Sequence, residues 1–292
     1  MSVSLSKDDR ELYESFLDVA KDQKLCLVGG CIRDLILGVT TKDLDFMIEK
    51  ELEPFLNKVI EKLRLESGVD STASHSRFFT AKLNFKLPIA GHKTLDFSQA
   101  RKEVYPTPAA RPVVFTGSIE EDILRRDFTI NSIAIFRDQF IDLTNGRKDI
   151  ETKVIRIHHD DSFRDDPIRL IRAVRFSERL GFSLEQNTLK CFQLAVENNF
   201  LQLVSPRRRY EELKKVLNEP KRDQTIRRLD SAGLLKVLCP AISISSPKIS
   251  EELDIEGALL SLVDRESLLW GQYVDSLGLP KEDSKRLKGV NV

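Results

Sequence analysis

This sequence has no long apolar segment, no excess of charge of one sign and no dense set of cysteines. Its uninterrupted apolar runs are far shorter than the roughly 20 residues that cross a bilayer. The N-terminal stretch MSVSLSKDDRELYESF also lacks the apolar core of a signal peptide. We therefore expect a cytoplasmic protein with no membrane association.

The scarcity of cysteine argues against two further classes of protein. The four cysteines are Cys26, Cys31, Cys191 and Cys239. Their spacing fits neither the paired ligands of a zinc site nor the disulfide bridges of a small secreted domain. We interpret them as buried or free thiols. The 46 basic and 46 acidic side chains cancel, so any surface that binds RNA must be a local patch.

The pattern of apolar residues changes near residue 150. Before that point short β-rich runs alternate with helical stretches, and after it the spacing is almost wholly helical. We predict strands over residues 25–28, 44–48, 78–83, 94–97 and 139–143. We predict helices over residues 11–20, 30–37, 54–65, 119–124, 167–180, 187–197 and 206–217, and another after Pro220. Three prolines predict a loop over residues 105–112, and residues 243–292 show little pattern.

A cluster of polar and glycine residues lies early in the chain, in the segment LVGGCIRDLILGVTTKDLDFMI. Side chains alternate between the faces of a strand, so Asp43 and Asp45 are expected to point to the same side. Two carboxylates on one face suit Mg²⁺, which prefers oxygen ligands. Gly29 and Gly30 leave room for a phosphate near the backbone, and Arg33 could meet its charge. The plainer alternatives are a surface strand with two acids and an ordinary turn.

Three downstream motifs extend this pattern. They are RRDFTINSIAI over residues 125–135, DLTNGRKDIETKVIRI over residues 142–157 and DDPIRLIRAVRF over residues 165–176. With GGCIRD and DLD before them, they resemble, in the same order, the motifs of the bacterial tRNA CCA-adding and poly(A) polymerase family of nucleotidyltransferases, class II type. The resemblance covers roughly residues 25–217, and it departs from the family at Asp165, where glutamate is usual.

The resemblance implies an α+β fold in three parts. Residues 1–150 would form a polymerase-β-like catalytic head, built from a small mixed sheet with helices. Residues 151–218 would form an all-α neck that selects the nucleotide, and residues 219–292 a short helical body or tail that contacts RNA. The C-terminal part is short beside that of many family members, which makes a divided or specialised activity an alternative.

The resemblance also implies phosphoryl transfer with Mg²⁺ as the cofactor. A metal ion shared by Asp43 and Asp45 would lower the pKa of the primer 3′-hydroxyl, and a second would neutralise charge on the triphosphate and the departing pyrophosphate. Asp96 lies where related polymerases have a third catalytic carboxylate. Asp127 is the alternative for a catalytic or sugar-contacting role.

The family assigns further nucleotide contacts to the head. Arg126 occupies a position that contacts bound nucleotide, and Asn131 would reach the sugar or hold its loop through the amide. The alternative for Arg126 is a structural ion pair with Glu120, Glu121 or Asp122. The expected nucleotide-binding residues of the head are thus Gly29, Gly30, Arg33, Arg126, Asp127 and Asn131.

The DDPIR motif is expected to choose the base. Pro167 suits a first helical position, so Asp165 or Asp166 would cap the helix. Asp166 and Arg169 lie three apart on one helix face. Their acceptor and donor match an amine beside a ring nitrogen, the pattern that cytosine and adenine share. Uracil and guanine present the reverse polarity, at a cost of about 1–3 kcal/mol for each unsatisfied group.

Basic residues form two more features in the second half of the chain. Arg172 and Arg175 continue the helix stripe at spacing three, where the family contacts nucleotide or phosphate; their alternative is pairing with acids. Between residues 205 and 228, nine basic residues outnumber four acidic ones. A solvated helix face is the alternative to RNA binding there. The residues expected to bind RNA phosphates are Arg207, Arg208 and Arg209.

These motifs predict a template-independent nucleotidyltransferase that adds C, A or both from CTP and ATP to the 3′ end of tRNA. CC-only addition, A-only addition and poly(A) synthesis are alternatives, and the loop over residues 101–117 has a length seen in enzymes that add A. A remote alternative is an RNA-binding homologue without activity, against which the intact Asp43 and Asp45 argue. No sequence feature indicates a stable protein partner.

Overall fold

The chain folds as two compact units. The computed structural model describes residues 5–41, 43–66, 69–75, 79–242, 249–250 and 252–289. The first unit comprises residues 1–104 and 112–158, and the second comprises residues 105–111 and 159–292. The described ranges hold no helix with both the length and the hydropathy required to cross a membrane.

A seven-stranded mixed sheet forms the centre of the first unit. The strands of this unit are β1 Leu25–Val28, β2 Asp45–Ile48, β3 Val69–His75, β4 Thr80–Ile89, β5 His92–Gln99, β6 Arg101–Val104, β7 Val113–Thr116, β8 Ala134–Phe136, β9 Gln139–Ile141 and β10 Val154–Ile155. The order in the sheet is β3-β4-β5-β2-β1-β8-β9, and β6 pairs with β7 as a separate hairpin. Neighbouring strands of the sheet are antiparallel except β2 and β5, which are parallel.

Five helices accompany these strands in the described part of the first unit. They are α1 Lys7–Ala20, α2 Gly30–Ile36, α3 Leu52–Glu66, α4 Ile119–Leu124 and α5 Gly146–Glu151, and a 3₁₀ turn spans Thr129–Asn131. The α1 helix begins at Ser6, whose side chain accepts a hydrogen bond from the amide of Asp9. Its buried Tyr13 donates a 2.7 Å hydrogen bond to the carbonyl of Leu25, which ties α1 to the central strand β1.

Aromatic packing sets the faces of the two parallel strands. Phe46 of β2 and Phe97 of β5 are paired in register and stack with ring centroids 5.1 Å apart. Phe16 of α1 packs edge-on against Phe46 at 5.3 Å. Because successive residues of a strand face opposite sides, the buried Phe46 and Phe97 direct the preceding Asp45 and Asp96 to the other face of the sheet.

The second unit is helical. Its elements are α6 Ser162–Asp165, α7 Ile168–Leu180, β11 Ser183–Leu184, α8 Gln186–Glu197, a 3₁₀ turn Phe200–Leu203, α9 Pro206–Leu217, α10 Arg222–Ser231, α11 Leu235–Leu238, α12 Ile255–Leu260, α13 Leu268–Ser276 and α14 Lys281–Lys288. The α7 helix ends at Gly181, which has φ +69° and closes the helix in the left-handed conformation. The fully buried Trp270 donates its indole N–H to the carbonyl of Leu287, so that α13 holds α14.

Most predicted elements exist, with shifted boundaries. The helices at residues 119–124 and 206–217 and the strand at residues 25–28 have the predicted bounds. The strand predicted from residue 78 begins at residue 80, and residue 78 lies outside the described residues. Strands β3 and β8 were not predicted, and the helices α12 to α14 were not predicted individually, although residues 219–292 were expected to be helical. The region 101–117 is a hairpin whose strands flank the loop, rather than a loop throughout.

Candidate active site

Two carboxylates meet where β2 and β5 run side by side. Asp45 and Asp96 are partners in the parallel register of these strands. The β2 strand starts at Asp45, so the exposed Asp43 lies just before the strand rather than on it, which corrects the predicted start at residue 44. The Nζ atom of Lys82 on β4 lies 2.7 Å from the Oδ2 atom of Asp96. Residues distant in sequence thus bring two carboxylates and one cation to this sheet face, with Asp43 in the segment just before it.

The electrostatics of this cluster indicate a site for a cation. Burial and the neighbouring charge of Asp96 raise the pKa of Asp45 to about 6. Asp43 adds to the rise in this pKa, whereas Arg126 and Lys82 oppose it. No three His, Cys, Asp or Glu side chains in the described ranges form a ready metal site. Mg²⁺ nevertheless commonly takes one or two protein carboxylates together with substrate phosphates, so the incompletely balanced carboxylates fit this ion.

The glycine turn after β1 brings the backbone close to this cluster. Gly29 has φ +80°, a conformation that favours glycine. A Cβ atom at Gly29 would lie 2.9 Å from Nη1 of Arg126 and 3.8 Å from Oδ2 of Asp45. Gly30 begins α2 directly after this turn. The turn therefore leaves space beside one cation and one carboxylate.

An ion pair with Asp122 orients Arg126. The Nε and Nη2 atoms of Arg126 lie 3.1 Å and 3.0 Å from Oδ1 of Asp122. The alternative considered for Arg126, pairing with a nearby acid, is therefore present in the structure. It does not exclude contact with a ligand, because Nη1 of Arg126 is the atom beside Gly29.

Arg33, Asn131 and Asp127 form a buried chain of hydrogen bonds. Nη1 of Arg33 donates to Oδ1 of Asn131 at 2.6 Å, and Nδ2 of Asn131 donates to Oδ1 of Asp127 at 3.1 Å. Arg33 also pairs with Asp34 and is 2% exposed. These contacts favour a structural role for Arg33 over the expected phosphate contact, which stays a prediction. The geometry likewise favours Asp96 over Asp127 as the third carboxylate, since Asp96 adjoins Asp45.

In the second unit, hydrogen bonds hold the two residues expected to read the base. Oδ1 of Asp166 accepts from the amide of Ile168 at 3.3 Å and from Nη2 of Arg208 at 2.9 Å. The N-cap of this helix is Pro167 rather than Asp165 or Asp166, and Asp166, one residue earlier, accepts from the first helical amide. Nη1 of the buried Arg169 donates to Oγ of Ser162 at 2.5 Å. Both side chains are thus held in place before any ligand binds.

The arginine stripe of α7 divides between two environments. Arg172 is half-buried, with its guanidinium 5.4 Å from the centre of the Phe176 ring. Arg175 is buried and pairs with Glu212 at 3.2 Å and Glu219 at 2.7 Å. These ion pairs favour a structural role for Arg175, because a nucleotide would have to displace both carboxylates, and its expected nucleotide contact stays a prediction.

The three arginines expected to bind RNA do not form one surface. Arg207 is exposed and pairs with Glu211, and Arg208 pairs with Asp166. Arg209 donates to the carbonyl of Val237, and burial lowers its pKa. The structure thus places Arg207, Arg208 and Arg209 in three different environments, and their contact with RNA phosphates stays a prediction. The exposed basic side chains between residues 205 and 228 are Arg207, Lys215, Lys221, Arg227 and Arg228.

Two contributors to the site were missed from the sequence. Asp122 lies four residues before Arg126, a helical spacing that indicated an ion pair but no functional role. Lys82 reaches Asp96 through the pairing of β4 with β5, and no local sequence pattern shows which strands pair. The pairing of Asp122 with Arg126 was already an alternative from the sequence, whereas the contact of Lys82 with Asp96 required the structure.

Two families match the chain. Residues 25–156 match the family described as "Poly A polymerase head domain", and residues 181–245 match the one described as "Probable RNA and SrmB- binding site of polymerase A". The first match contains Gly29, Asp45, Asp96 and Arg126. The second contains the basic segment of α9 and α10.

Several relatives are similar to most of the chain. An A-adding tRNA nucleotidyltransferase of Geobacter sulfurreducens is 34% identical over 232 residues, 78% of this chain and 25% of that protein. One of Halalkalibacterium halodurans is 32% identical over 296 residues, 98% of this chain and 66% of that protein. A CC-adding tRNA nucleotidyltransferase of Deinococcus radiodurans is 32% identical over 217 residues, 73% of this chain and 54% of that protein. The chain thus spans between a quarter and 66% of the length of these relatives.

Solved structures share the fold. A CCA-adding enzyme in apo form II has a TM-score of 0.78 and 27% identity, over 98% of this chain and 71% of that chain. A tRNA nucleotidyltransferase complexed with a primer tRNA and an incoming ATP analog has a TM-score of 0.71 and 26% identity, over 94% of this chain and 82% of that chain.

Proposed function

Because this chain belongs to the tRNA nucleotidyltransferase and poly(A) polymerase family, we propose that it adds nucleotides from ATP, CTP or both to the 3′ end of tRNA. The observation that carries the proposal is the meeting of Asp45 and Asp96 beside Gly29 and Arg126. Retention of both carboxylates and of the arginine argues against a homologue that binds RNA without activity. Since the proposed substrate is tRNA, the expected compartment is the cytoplasm.

The residues of the first unit can divide the work of phosphoryl transfer. Asp43, Asp45 and Asp96 would hold Mg²⁺, which supplies a more acidic 3′-hydroxyl and neutralises the triphosphate when bound. Arg126 binds the negative charge of the nucleotide through Nη1, and the absence of a side chain at Gly29 lets the nucleotide approach the backbone. Lys82 limits the repulsion among the carboxylates, because it pairs with Asp96.

Asp166 and Arg169 of the second unit supply a fixed acceptor and a fixed donor. This combination suits the Watson–Crick edges of cytosine and adenine and rejects those of uracil and guanine. Discrimination between bases requires side chains with a fixed orientation. The hydrogen bonds of Asp166 with Arg208 and of Arg169 with Ser162 fix that orientation. We therefore keep these two residues as the proposed base-reading pair and omit Arg33 and Arg175 from the nucleotide contacts.

A single assay tests the activity and its extent. Purified protein is incubated with Mg²⁺ and each labelled NTP in turn, on tRNAs that lack the whole CCA end, the final CA or only the terminal A. Incorporation of A alone, of C alone or of both identifies A-adding, CC-adding or complete CCA synthesis. Long A tracts would indicate poly(A) synthesis. Failure to incorporate any nucleotide, by folded protein and with Mg²⁺ supplied, would contradict the proposal.

A further inference from the structure

The carboxylate of Asp122 joins two arginines through its separate oxygens. Asp122 is fully buried on α4. Its Oδ1 atom accepts from Nε of Arg126 at 3.1 Å, and its Oδ2 atom accepts from Nε and Nη2 of Arg125 at 3.0 Å and 2.7 Å. The same Oδ2 atom accepts from the backbone amide of Arg101 at 3.2 Å. Asp122 therefore links the arginine beside Gly29 to the base of the β6–β7 hairpin.

A second carboxylate completes the link on the hairpin side. Oε1 of Glu103 on β6 accepts from Nη1 of Arg125 at 3.0 Å and from Nε of Arg101 at 3.1 Å. The guanidinium groups of Arg101, Arg125 and Arg126 thus contact the carboxylates of Asp122 and Glu103. Arg126 is the member of this cluster that lies beside Gly29.

The ionised form of Asp122 is favoured, as a lasting ion pair with Arg126 requires. Burial by itself would raise its pKa, but the guanidinium groups of Arg126 and Arg125 outweigh burial and hold the pKa below its usual range. An arginine carries five donors in a rigid fork. Asp122 occupies Nε and Nη2 of Arg126, so the position of Nη1 beside Gly29 follows from the pairing.

We propose that Asp122 is a positioning residue for nucleotide binding, which holds Arg126 in the orientation that directs Nη1 toward the nucleotide phosphates beside Gly29. This inference rests on the proposed function. Asp122 itself does not touch the nucleotide and acts through Arg126. The hairpin, through Arg101 and Glu103, keeps the anchor in place.

The test compares Asp122→Asn with a matched carboxylate on the same helix. Glu120→Gln is the control, because Glu120 interacts with its own backbone amide and with Ser118. Asp122→Asn should raise the KM for ATP or CTP by about tenfold to 100-fold, the range expected from weakening a charge-assisted contact. The KM for tRNA should stay within about twofold, and Glu120→Gln should leave both constants unchanged.

A double-mutant cycle separates positioning from a general effect on stability. In an Arg126→Ala background, Asp122→Asn should add no further rise in the NTP KM, because the residue through which it acts is gone. If the effects of the two changes multiply, or if Asp122→Asn resembles Glu120→Gln, the positioning role is overturned.

A second variant covers the case in which Asp122→Asn does not fold. Arg126→Lys keeps the charge but cannot pair with Asp122 and present a second donor with the same geometry, so it should raise the NTP KM as well. A wild-type KM in Arg126→Lys would overturn the inference. Wild-type protein that transfers no nucleotide would instead overturn the proposed function, so the two failures are distinct.

Discussion

Asp45 and Asp96 are paired across the parallel strands β2 and β5, one residue before the stacked rings of Phe46 and Phe97. The register that buries the two rings is therefore also the register that brings the two carboxylates together. A shift of one residue in either strand would exchange the faces and lose the pair. Packing on one side of the sheet thus sets the chemistry on the other side.

Asp45→Asn should reduce nucleotide incorporation by several orders of magnitude, because it removes a charge that the proposed Mg²⁺ site requires. Asp96→Asn should have a comparable effect, whereas Asp127→Asn should mainly destabilise the loop that holds Asn131. Burial and the charge of Asp96 disfavour ionised Asp45, so metal-free Asp45→Asn should melt no lower than wild type. Incorporation rates and melting curves for the three variants check this, and normal incorporation by Asp45→Asn would contradict the assignment.

Gly29→Ala should abolish most nucleotide binding, because the new Cβ would lie 2.9 Å from Nη1 of Arg126. The matched control is Gly38→Ala. Gly38 has φ +70° and nothing within 4 Å of its would-be Cβ, so it tests a positive φ without the contact. Gly38→Ala should lose about 1–2 kcal/mol of stability from the positive φ. Gly29→Ala should lose more, because φ +80° with ψ −137° lies outside the left-handed helical region and suits glycine almost alone. Equal ATP or CTP affinities in the two variants would show that the space beside Arg126 is unimportant.

Asp166→Ala and Arg169→Ala should each lower the use of CTP and ATP relative to UTP and GTP. The first change removes the acceptor for the base amine, and the second removes the donor for the ring nitrogen. The measurement is the ratio of kcat/KM for all four NTPs on one tRNA primer. Variants with lower rates but unchanged ratios would show that the pair is structural. Ser162→Ala, which removes one hydrogen-bond partner of Arg169 and keeps the arginine, should weaken discrimination less.

Charge reversal of Arg227 and Arg228 together should weaken tRNA binding and reduce its dependence on salt. Both are exposed on α10, and each lost phosphate contact lowers the slope of log K against log salt by roughly 0.9 for duplex nucleic acid. Lys21 and Lys24, which are exposed and lie outside the part expected to contact RNA, provide a double reversal of equal charge for comparison. Identical tRNA affinities for the two double variants, measured over a salt series, would show that the basic segment is a solvated surface that does not bind tRNA.

Arg175→Ala should destabilise the protein by about 3–5 kcal/mol, because it leaves Glu212 and Glu219 buried without their main partner. Denaturant unfolding measures the loss. The folded fraction should keep the wild-type affinity for ATP and CTP, since the ion pairs occupy the arginine. A weaker affinity at full folding would restore Arg175 to the nucleotide site.

The glycine turn after β1 and the helix of the DDPIR motif could be predicted from the sequence because each is local. Gly29 and Gly30 follow a short apolar strand, and the helix after residue 167 has a clear apolar stripe and an ending glycine. Local spacing and propensity suffice for such elements.

The failures concern contacts between distant residues. No spacing rule shows that Arg175 reaches Glu219 or that Arg209 turns inward to Val237. Three successive arginines resemble a basic surface, yet successive residues of a helix point about 100° apart, which sends them to different environments. The β6–β7 hairpin was missed because its strands are short and flank a loop rich in proline.

The parallel pairing of β2 with β5 also bears on how the chain reaches its folded state. Antiparallel neighbours can be joined by a tight turn, whereas parallel strands need a long crossover. Here that crossover contains α3, β3 and β4. Closing such a loop costs chain entropy before its contacts form, which makes this pairing a slow step. Nucleotide transfer should therefore return later during refolding than helical circular dichroism, and a nascent chain that ends before β5 lacks Asp96 of the proposed Mg²⁺ site.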